Sequence, residues 1–322
     1  MKKLFYSFTL LFILFQLGGC QKKTEPVSVS GFYFDTFIVT TIYSPCEESV
    51  QEGLLSLCEK YEAMLSAEKE GSDIWRINHS NGNPVEVSPE TIYLLERGLY
   101  YSELTNGTFD ITIRPVSSLW DFHSDAPALP DDTKLADAMQ HVHYDAVLLQ
   151  NNMVTLTDPD ASIDLGALAK GYIAEKIKEY LLSQNVDAAL INLGGNLCAF
   201  GTKQDGSRYT LGIEKPFSSE IACTLKTTDT NLVTSGIYER CFTVNGILYH
   251  HLLDGNTGFP VNNNLYSVSI MGPDGTECDL LSTVCFLLGE EEGTSLLESM
   301  DGYEGYFIKS DYSISMTSGF GK

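Results

Sequence analysis

The order of apolar patterns along the chain limits its fold more than any other feature of the sequence. Helical spacing dominates the first half, where apolar residues recur three and four positions apart in 48–66 and 88–105. β-Branched and aromatic runs dominate later, in 188–196, 209–214 and 221–227. Helices that follow helices and strands that follow strands, without regular βαβ alternation, favour an α+β fold with antiparallel sheets.

Shorter patterns complete this prediction. We expect strands at 31–44, 107–115 and 241–244, a hairpin across 146–157, short helices at 72–78 and 131–139, and a helix at 276–288 that Thr276 caps and Gly289 closes.

The N-terminus has the composition of a secretory signal. Lys2 and Lys3 precede an apolar run at 4–17 that is shorter than the ~20 residues of a membrane-spanning helix. The run ends in Leu-Gly-Gly and Cys20, which resembles a bacterial lipobox. We therefore expect a signal peptide at 1–19, a lipidated Cys20 with a polar tether at 20–30, and one domain at 31–322. The protein would be exported and lipid-anchored to the bacterial membrane, on its periplasmic or extracellular face.

The net charge argues against two classes of partner. The formal charge is −23 at pH 7, and it becomes −25 once the signal with its two lysines is removed. Such an acidic surface repels phosphate backbones, so nucleic acid and anionic lipid are poor partners.

The cysteines do not have the spacing of a disulfide framework. Seven remain when Cys20 is set aside, and no pair has the C-x-x-C spacing of a zinc or redox site. Most are expected to be small buried hydrophobes, which suggests a reducing or anoxic habitat. One or two disulfides are the alternative.

The first candidate for chemistry is the segment 162–171 (SIDLGALAKG). A short apolar approach, a glycine and then a helical pattern predict a strand that turns directly into a helix. The first helical turn would place free N–H groups beside Asp164 and Lys170, and such groups attract phosphate. The segment therefore suggests a phosphorylated ligand, whereas a plain helix start with surface charges is the alternative.

Two further candidates lie in the last third. His250 and His251 end a predicted strand, and Asp254 leads into a Gly/Pro-rich loop, an arrangement that suits a general base. Asp279 and Thr283 are four apart on a predicted helix, so their oxygens share one face and suit Mg²⁺. A structural histidine pair and a chance Asp/Thr spacing are the alternatives.

Eight blocks of the sequence, in order, resemble the signature motifs of the bacterial FAD:protein FMN transferase (flavin transferase) family. The blocks are GTFDITIRP (107–115), DLGALAKG (164–171), NLGGN (192–196), TSG (234–236), YER (238–240), HLLD (251–254), TGFP (257–260), and Asp279 with Thr283. They extend over most of the chain after the tether, so the resemblance covers nearly all of the predicted domain.

The resemblance implies a T-fold-like α+β core, usually in an exported lipoprotein, and a specific reaction. Family members use Mg²⁺ and take FAD as substrate. They join FMN through its phosphate to a threonine hydroxyl of a target flavoprotein and release AMP. The acceptors are exported subunits of membrane redox complexes.

The matching blocks also imply roles for individual residues. His251 would be the base. Asp279, Thr283 and the backbone carbonyl of Ala167 would bind Mg²⁺. The contacts to FAD would come from Phe34, Thr108, Phe109, Asp110, Asp164, Lys170, Glu239, Arg240, Leu253 and Ser282.

The chain departs from the family pattern at three places. Gly255 follows Asp254 where the family commonly has Asp-Pro, which would loosen that loop. Phe34 begins Phe-Asp-Thr where many members have Met-Gly-Thr, and Ile237 is assigned no role.

Three rival functions are weighed against the transferase. A Mg²⁺-dependent FAD pyrophosphatase would use water in place of the threonine and give FMN and AMP. A non-catalytic FAD-binding lipoprotein would lack the base or a metal ligand, but His251, Asp279 and Thr283 are all present. A peptide- or sugar-binding lipoprotein would need two βαβ lobes that this pattern lacks.

Overall fold

The structure is a computed structural model that describes residues 25–122 and 127–321. The predicted signal peptide, Cys20 and the first part of the tether lie outside the described residues. Within those ranges, none of the helices combines the length and the apolar character that crossing a membrane requires.

Antiparallel strands form most of the framework. In chain order they are β1 (Val27–Tyr33), β2 (Thr36–Ile42), β3 (Val85–Glu86), β4 (Val147–Gln150), β5 (Met153–Leu156), β6 (Ala189–Leu193), β7 (Asn196–Phe200), β8 (Tyr209–Glu214), β9 (Ile221–Thr227), β10 (Thr230–Gly236), β11 (Cys241–Val244), β12 (Ile247–His250), β13 (Leu265–Gly272), β14 (Glu304–Lys309) and β15 (Ile314–Met316).

The largest sheet has eight strands in the order β1-β2-β6-β7-β10-β13-β14-β15. Three smaller sheets are β3-β5-β4, β8-β9 and β11-β12. The named strands pair antiparallel throughout, from the β1-β2 hairpin to the β14-β15 pair. The predicted α+β class with antiparallel sheets is therefore confirmed.

The helices lie on the large sheet or beside the loops and smaller sheets. They are α1 (Glu48–Leu65), α2 (Asp73–Asn78), α3 (Pro89–Leu104), α4 (Arg114–Ser117), α5 (Asp132–Ala138), α6 (Ala169–Ser183), α7 (Gly275–Leu288) and α8 (Glu290–Glu298), with 3₁₀ turns at Met139–His141 and Tyr144–Ala146. Those on the large sheet are α1, α6, α7 and α8.

The central helix is α7, which packs on β10 and β13 and against α6. It is apolar on nearly all sides, and Leu280, Leu281 and Val284 are fully buried. A helix of this kind belongs inside a core rather than on a surface. It carries Asp279 into the interior, which is the fact that positions the candidate site.

Two apolar clusters extend the main core. One packs β8 and β9 on the other side of the sheet around Tyr209 and Leu211. The other gathers Val116, Trp120 and Phe242 next to the β11-β12 hairpin. This second cluster supports the hairpin that carries His251.

Several predicted elements are confirmed. Helices occur where the pattern placed them in 48–66, 72–78, 88–105 and 131–139, and the hairpin across 146–157 is present. The strands predicted from 209 to 244 are β8, β9 and β11.

The strand predicted at 31–44 is wrong in its bounds. The segment is a hairpin, because Phe34 and Asp35 both take positive φ values, 55° and 56°, and reverse the chain between β1 and β2. The first strand also begins at Val27, so it includes the last four residues of the segment predicted as a tether.

The strands predicted at 107–115 and before Gly166 are also absent. Side-chain hydrogen bonds replace the strand ladder there, since the hydroxyl of Thr105 accepts from the N–H of Phe109 and Asp110 accepts from that of Thr112. The one pairing the two segments make is an isolated parallel bridge between Ile113 and Ser162.

The TSG block at 234–236 forms the end of β10, and one cap assignment needs correction. Asp274 rather than Thr276 caps α7, because its carboxylate accepts from the N–H of Glu277, while Gly289 closes the helix as predicted. Each of the seven cysteines in the described ranges is a free thiol, and Cys58, Cys198, Cys278 and Cys285 are buried.

Candidate active site

The start of α6 and the first half of α7 meet at a pair of glycines. A Cβ atom on Gly171 would lie 2.0 Å from the carbonyl oxygen of Gly275 and 2.8 Å from Cβ of Asp279. Only glycine allows this approach. It lets the N–H of Gly171 donate to Oδ2 of Asp279 at 2.8 Å.

This hydrogen bond pairs a donor that the helix itself leaves free. Gly171 is the third residue of α6, and the first N–H groups of a helix have no carbonyl partner within it. Here the N–H of Gly171 donates to Asp279. The carboxylate of Asp279 and the first turn of α6 therefore form one junction, and Ala167 precedes that turn in the chain.

Hydroxyl groups continue the junction along α7. Thr283 lies one helical turn beyond Asp279 and is partly exposed. Oγ of Ser235, on β10, lies 2.7 Å from Oγ of Ser282 and 3.1 Å from Oγ1 of Thr283. Ser282 also donates to the carbonyl of Asp279 at 2.8 Å. Ser235 therefore fixes both hydroxyls, and it is a support that the sequence patterns did not identify.

These donors fit a hard divalent cation. Asp279 is 4% exposed, and no lysine or arginine within the described ranges forms an ion pair with it. A buried carboxylate without a cation is costly. A carboxylate, a hydroxyl and a backbone carbonyl are oxygen donors of the type that Mg²⁺ prefers. Asp279, Thr283 and Ala167 together have the chemistry of a magnesium site.

His251 follows β12 directly, as predicted, and its ring is oriented by the backbone. Its Nδ1 lies 3.3 Å from the carbonyl oxygen of Arg240, and its N–H donates to the same oxygen at 3.1 Å. A carbonyl only accepts, so Nδ1 carries the proton and Nε2 is left as the basic nitrogen. The ring of Phe122 stands edge-on to the imidazole, with centroids 6.5 Å apart.

The surroundings keep His251 neutral. Burial, followed by the positive charge of Arg240, lowers the pKa of His251 to about 4. The imidazole can therefore accept a proton at neutral pH without being charged beforehand. His250 is different: it is buried, its Nε2 lies 3.1 Å from the carbonyl of Val261, and its ring packs on Phe286. That histidine is structural.

Asp110 is held deep in the loop that replaces the predicted strand. Its Oδ1 accepts from the N–H and the hydroxyl of Thr112, both at 2.7 Å. Its Oδ2 accepts from the N–H of Tyr144 at 3.0 Å. Burial nevertheless raises the pKa of Asp110, because desolvation outweighs these hydrogen bonds. Tyr144 is a second support that sequence reasoning missed.

Thr108 connects that loop to the loop after His251. Its hydroxyl accepts from Nδ2 of Asn256 at 3.2 Å, and its carbonyl accepts from the N–H of Gly255 at 3.0 Å. A Cβ on Gly255 would lie 2.2 Å from the carbonyl oxygen of Gly107. The expectation that Gly255 loosens its loop is therefore wrong, since this glycine allows the two loops to pack tightly.

Asp164 and Lys170 flank the start of α6. The N–H of Asp164 donates to the carbonyl of Ile111 at 2.8 Å, which places it beside the Asp110 loop. Its Oδ1 accepts from the N–H of Gly166 at 2.6 Å, and Nζ of Lys170 donates to the carbonyl of Gly166 at 2.9 Å. The two side chains therefore lie around one turn, as the sequence predicted.

The charge of Lys170 connects this turn to the opposite hairpin. It acts on both Glu239 and His251. Although Glu239 is exposed to solvent overall, partial desolvation of its carboxyl group and the like charge of Glu214 raise its pKa, while Arg240 and Lys170 oppose that shift. Glu239 and Arg240 lie next to each other on the exposed turn that follows β10. The Asp164–Lys170 turn and the Glu239–Arg240 turn are therefore close enough in space for their charges to interact.

The remaining predicted contacts are apolar. Phe109 and Leu253 are buried, and Leu253 forms an isolated bridge to Pro260. Phe109 belongs to the main core and Leu253 to the cluster around Trp120, so both side chains pack inward. Phe34 occupies the turn of the β1-β2 hairpin, where its N–H donates to Glu62 at 2.9 Å. The contacts of Phe34 do not connect it to the other candidates.

The structure thus joins most of the predicted residues by short chains of contacts. Asp279, Ser282 and Thr283 form one group at the helix junction, joined by Gly171 and Ser235, and Ala167 lies four residues before Gly171. Thr108, Asp110, Asp164 and Lys170 form a second, which the charge of Lys170 links to His251 and Glu239. The first group has the donors to bind a cation, and the second is linked by charge to a neutral base.

Comparison with known proteins gives consistent matches over most of the chain. A family model described as the ApbE family matches residues 34–307. An FAD:protein FMN transferase of Treponema pallidum is 32% identical over 334 residues, which covers 96% of this chain and 92% of the relative. One from Klebsiella pneumoniae is 32% identical over 296 residues, with 90% and 92% covered.

Solved structures have the same fold. The ApbE protein of Thermotoga maritima superposes with a TM-score of 0.85 at 27% identity, over 92% of this chain and 98% of that one. The flavin transferase ApbE from Vibrio cholerae superposes with a TM-score of 0.83 at 25% identity, with the same coverage. The architecture described above is therefore that of known flavin transferases.

Proposed function

Because this chain belongs to the ApbE family, we propose that it is an FAD:protein FMN transferase. The reaction would move FMN from FAD to a threonine hydroxyl of an acceptor protein and release AMP. The observation that carries the proposal is the junction at which Gly171 holds Asp279 beside Thr283, within a site that also contains a neutral His251.

The bond changes of this reaction are simple. The threonine oxygen attacks the FMN phosphorus of FAD, and a new P–O bond forms. The bond from that phosphorus to the bridging pyrophosphate oxygen breaks, and the electron pair leaves with AMP. The proton of the threonine hydroxyl goes to Nε2 of His251. General base catalysis of this kind accelerates such a step by roughly 10²- to 10⁴-fold.

The chain has a suitable set of Mg²⁺ ligands in Asp279, Thr283 and the carbonyl of Ala167. A bound Mg²⁺ would neutralise charge on the pyrophosphate and on the departing phosphate. The burial of Asp279 and its position at the start of α6, where the N–H of Gly171 donates to it, support this assignment.

The polar residues around the junction suit the two halves of FAD. Lys170 and Arg240 are cations that would attract the diphosphate, and Lys170 is placed at the start of α6. Asp110, Asp164 and Glu239 accept hydrogen bonds, so they suit ribityl hydroxyls and flavin N–H groups rather than phosphate. Thr108, Phe109, Leu253 and Ser282 would complete the contacts, and Phe34 would reach the ligand from the hairpin turn.

The setting of the enzyme follows from its N-terminus. We infer export and anchoring through a lipid on Cys20, with acceptors among the exported flavoprotein subunits of membrane redox complexes. The lipobox-like Leu-Gly-Gly-Cys supports the anchor. Radioactive palmitate would label the wild-type protein in cells and leave Cys20→Ser unlabelled. Labelling of the variant would contradict the assignment.

The central experiment measures transfer directly. The soluble form that begins at Gln21 is incubated with FAD, Mg²⁺ and a purified candidate acceptor subunit, and the intact mass of the acceptor is determined. We expect the mass of one FMN to be added, and we expect this addition to be lost with EDTA and in His251→Ala. His79→Ala is the matched control, since His79 is an exposed histidine stacked on Trp75.

The other outcomes identify the rival functions. Release of free FMN and AMP without labelling of any acceptor tested would favour an FAD pyrophosphatase. FAD that stays bound and uncleaved with every acceptor and metal would favour a flavin carrier, and the transferase proposal would then be wrong.

A further inference from the structure

A second group of metal-ligating side chains lies away from the helix junction. His141 ends a 3₁₀ turn, and its Nδ1 lies 2.8 Å from Oδ2 of Asp158, just after β5. Nε2 of His143 lies 3.0 Å from the same carboxylate oxygen. Two imidazoles from one segment thus converge on one carboxylate from another.

Asp160 adds a further carboxylate. One ligand atom each from His141, Asp158 and Asp160 lie within 4.8 Å of one another. In a tetrahedral zinc site, with bonds of about 2.0 to 2.2 Å, the ligand atoms lie about 3.5 Å apart. Small side-chain rotations would therefore bring the three donors to bonding distance of one ion.

The backbone holds these donors in place. Asp158 and Asp160 flank Pro159, and the N–H of Asp160 donates to Oδ1 of Asp158 at 2.9 Å. The hydroxyl and the N–H of Thr157 both contact the carbonyl of Ala146, which ties the two segments together next to the cluster. The pairs His-x-His and Asp-x-Asp thus face each other across a fixed gap.

We propose that His141, Asp158 and Asp160 bind a divalent transition metal ion such as Zn²⁺. His143 holds Asp158 as a positioning residue, and water fills the open coordination position. Imidazole with carboxylate suits zinc and its neighbours, whereas Mg²⁺ prefers a set made of oxygen alone. The site is therefore distinct in chemistry from the proposed magnesium site at Asp279.

The ion would connect the two segments that support the candidate active site. Tyr144, whose N–H holds Asp110, follows His141 by three residues. The Asp-x-Asp pair leads within a few residues to Asp164, which bonds the Asp110 loop. A metal bound here would cross-link the two segments and so restrict the motion of the loops beside the proposed FAD site. Its binding is measured without FAD, so this inference stands apart from the proposed function.

The experiment uses Zn²⁺ alone with the soluble chain that begins at Gln21. Asp279→Asn is included in every sample to weaken the proposed magnesium site, and accessible thiols are alkylated beforehand. Isothermal titration calorimetry should show one Zn²⁺ per chain, retained in the presence of excess Mg²⁺. The thermal midpoint should rise on addition of Zn²⁺.

Three variants locate the ion. Asp160→Asn changes an exposed side chain, so the fold is preserved while a ligand is weakened. His141→Gln removes the imidazole donor. Each should lower Zn²⁺ affinity by about 100-fold or more, because even changes to supporting groups around metal sites cost about 10- to 100-fold. His79→Gln, the matched histidine control, should bind as before.

Two results would overturn the proposal. One is the absence of Zn²⁺ binding to the Asp279→Asn chain. The other is equal affinity in Asp160→Asn, His141→Gln and His79→Gln, which would place the ion elsewhere. A loss of affinity confined to the first two variants would support the site.

Discussion

The backbone N–H of Gly171 donates a hydrogen bond of 2.8 Å to Oδ2 of Asp279, so the first turn of α6 is fastened to the interior of α7. The bond uses one of the N–H groups that the first turn of a helix leaves without a partner. The carboxylate of Asp279, a proposed magnesium ligand, is thus held by the start of α6. The predictions below follow from this junction and from the residues around it.

Replacing Asp279 by asparagine should separate folding from catalysis. The amide oxygen of Asn can still accept from Gly171, so the fold and the thermal midpoint should change little. Transfer should fall by about 100-fold or more, because the metal supplies several kcal/mol of transition-state stabilisation. Rates at increasing Mg²⁺ check this. A variant that retains wild-type rates at saturating Mg²⁺ would argue against a ligand role for Asp279.

Gly171→Ala should destabilise the protein. The new methyl group would meet the carbonyl of Gly275 and force α6 away from α7, at a cost of about 1 to 3 kcal/mol for an overpacked contact. Urea unfolding measures this cost. Glu179→Ala, an exposed change on the same helix, should remain within about 1 kcal/mol of wild type. Equal stabilities for the two variants would show that the helices can separate without cost.

The pH dependence of transfer should report His251. Its pKa of about 4 leaves the imidazole neutral and basic above that value, so the rate should hold from neutral pH down to about 5 and fall below it. Rates between about pH 3.5 and 8 in Glu239→Gln, which lacks the titrating carboxyl group of Glu239, should show the same fall. Arg240→Gln should shift the fall to higher pH, because it removes a positive charge. A fall near the ordinary histidine value in the unmodified enzyme would contradict the role of burial.

Asp73 should contribute to stability in a pH-dependent way. Its carboxylate accepts from the N–H and hydroxyl of Ser88 and from the hydroxyl of Thr91, at 2.7 to 2.9 Å. Burial acts to raise the pKa of Asp73, but these bonds and that from Arg76 together lower it. The stabilisation is therefore present above the unfolded-state pKa and is lost as pH falls through the lower folded-state value.

The test for Asp73 is a comparison of unfolding free energies. Asp73→Asn should cost about 1.5 to 3 kcal/mol at neutral pH, the range for hydrogen bonds to a charged group. The difference from wild type should shrink on acidification below the ordinary aspartate pKa. A difference that is constant with pH would mean that the charge of Asp73 contributes nothing.

The thiols should react in two classes. Burial raises the pKa of Cys58 and of Cys198 to about 12, and it also raises those of Cys278 and Cys285, which are fully enclosed. Iodoacetamide should therefore leave these four unmodified in the native protein. The partly exposed Cys46, Cys223 and Cys241 should react first. Peptide mass spectrometry before and after denaturation gives the answer, and early labelling of Cys285 would contradict it.

Local signals allowed most helices to be predicted from the sequence. Ser88 and Pro89 define the start of α3 because capping and the fixed φ of proline act within one turn. The hairpin at Phe34 and Asp35 was not predictable in the same way, since the bulky Phe34 rarely adopts positive φ, although aspartate adopts it more often. The loop at 107–115 has the composition of a strand, but its backbone N–H groups donate to the side chains of Ser102, Thr105 and Asp110, and these bonds hold it in turns.

The supports of the candidate site depend on contacts that are distant in sequence. Tyr144 is 34 residues from Asp110, and Asn256 is 148 residues from Thr108. The carbonyl of Arg240 determines which nitrogen of His251 carries the proton. Ser235 orients the hydroxyl groups of α7. Residue types and spacing indicate which side chains carry chemistry, whereas these contacts determine how each one is oriented.

The position of β1 has a practical consequence for anyone who expresses this protein. β1 is the outermost strand of the large sheet, and its first residues pair with 39–42 of β2. A recombinant protein that begins at residue 31, the predicted domain boundary, would lack residues 27–30, about half of that strand. It would leave the amides of β2 unpaired beside the exposed ring of Phe37, a surface prone to self-association. Expression plasmids should therefore begin well before Val27.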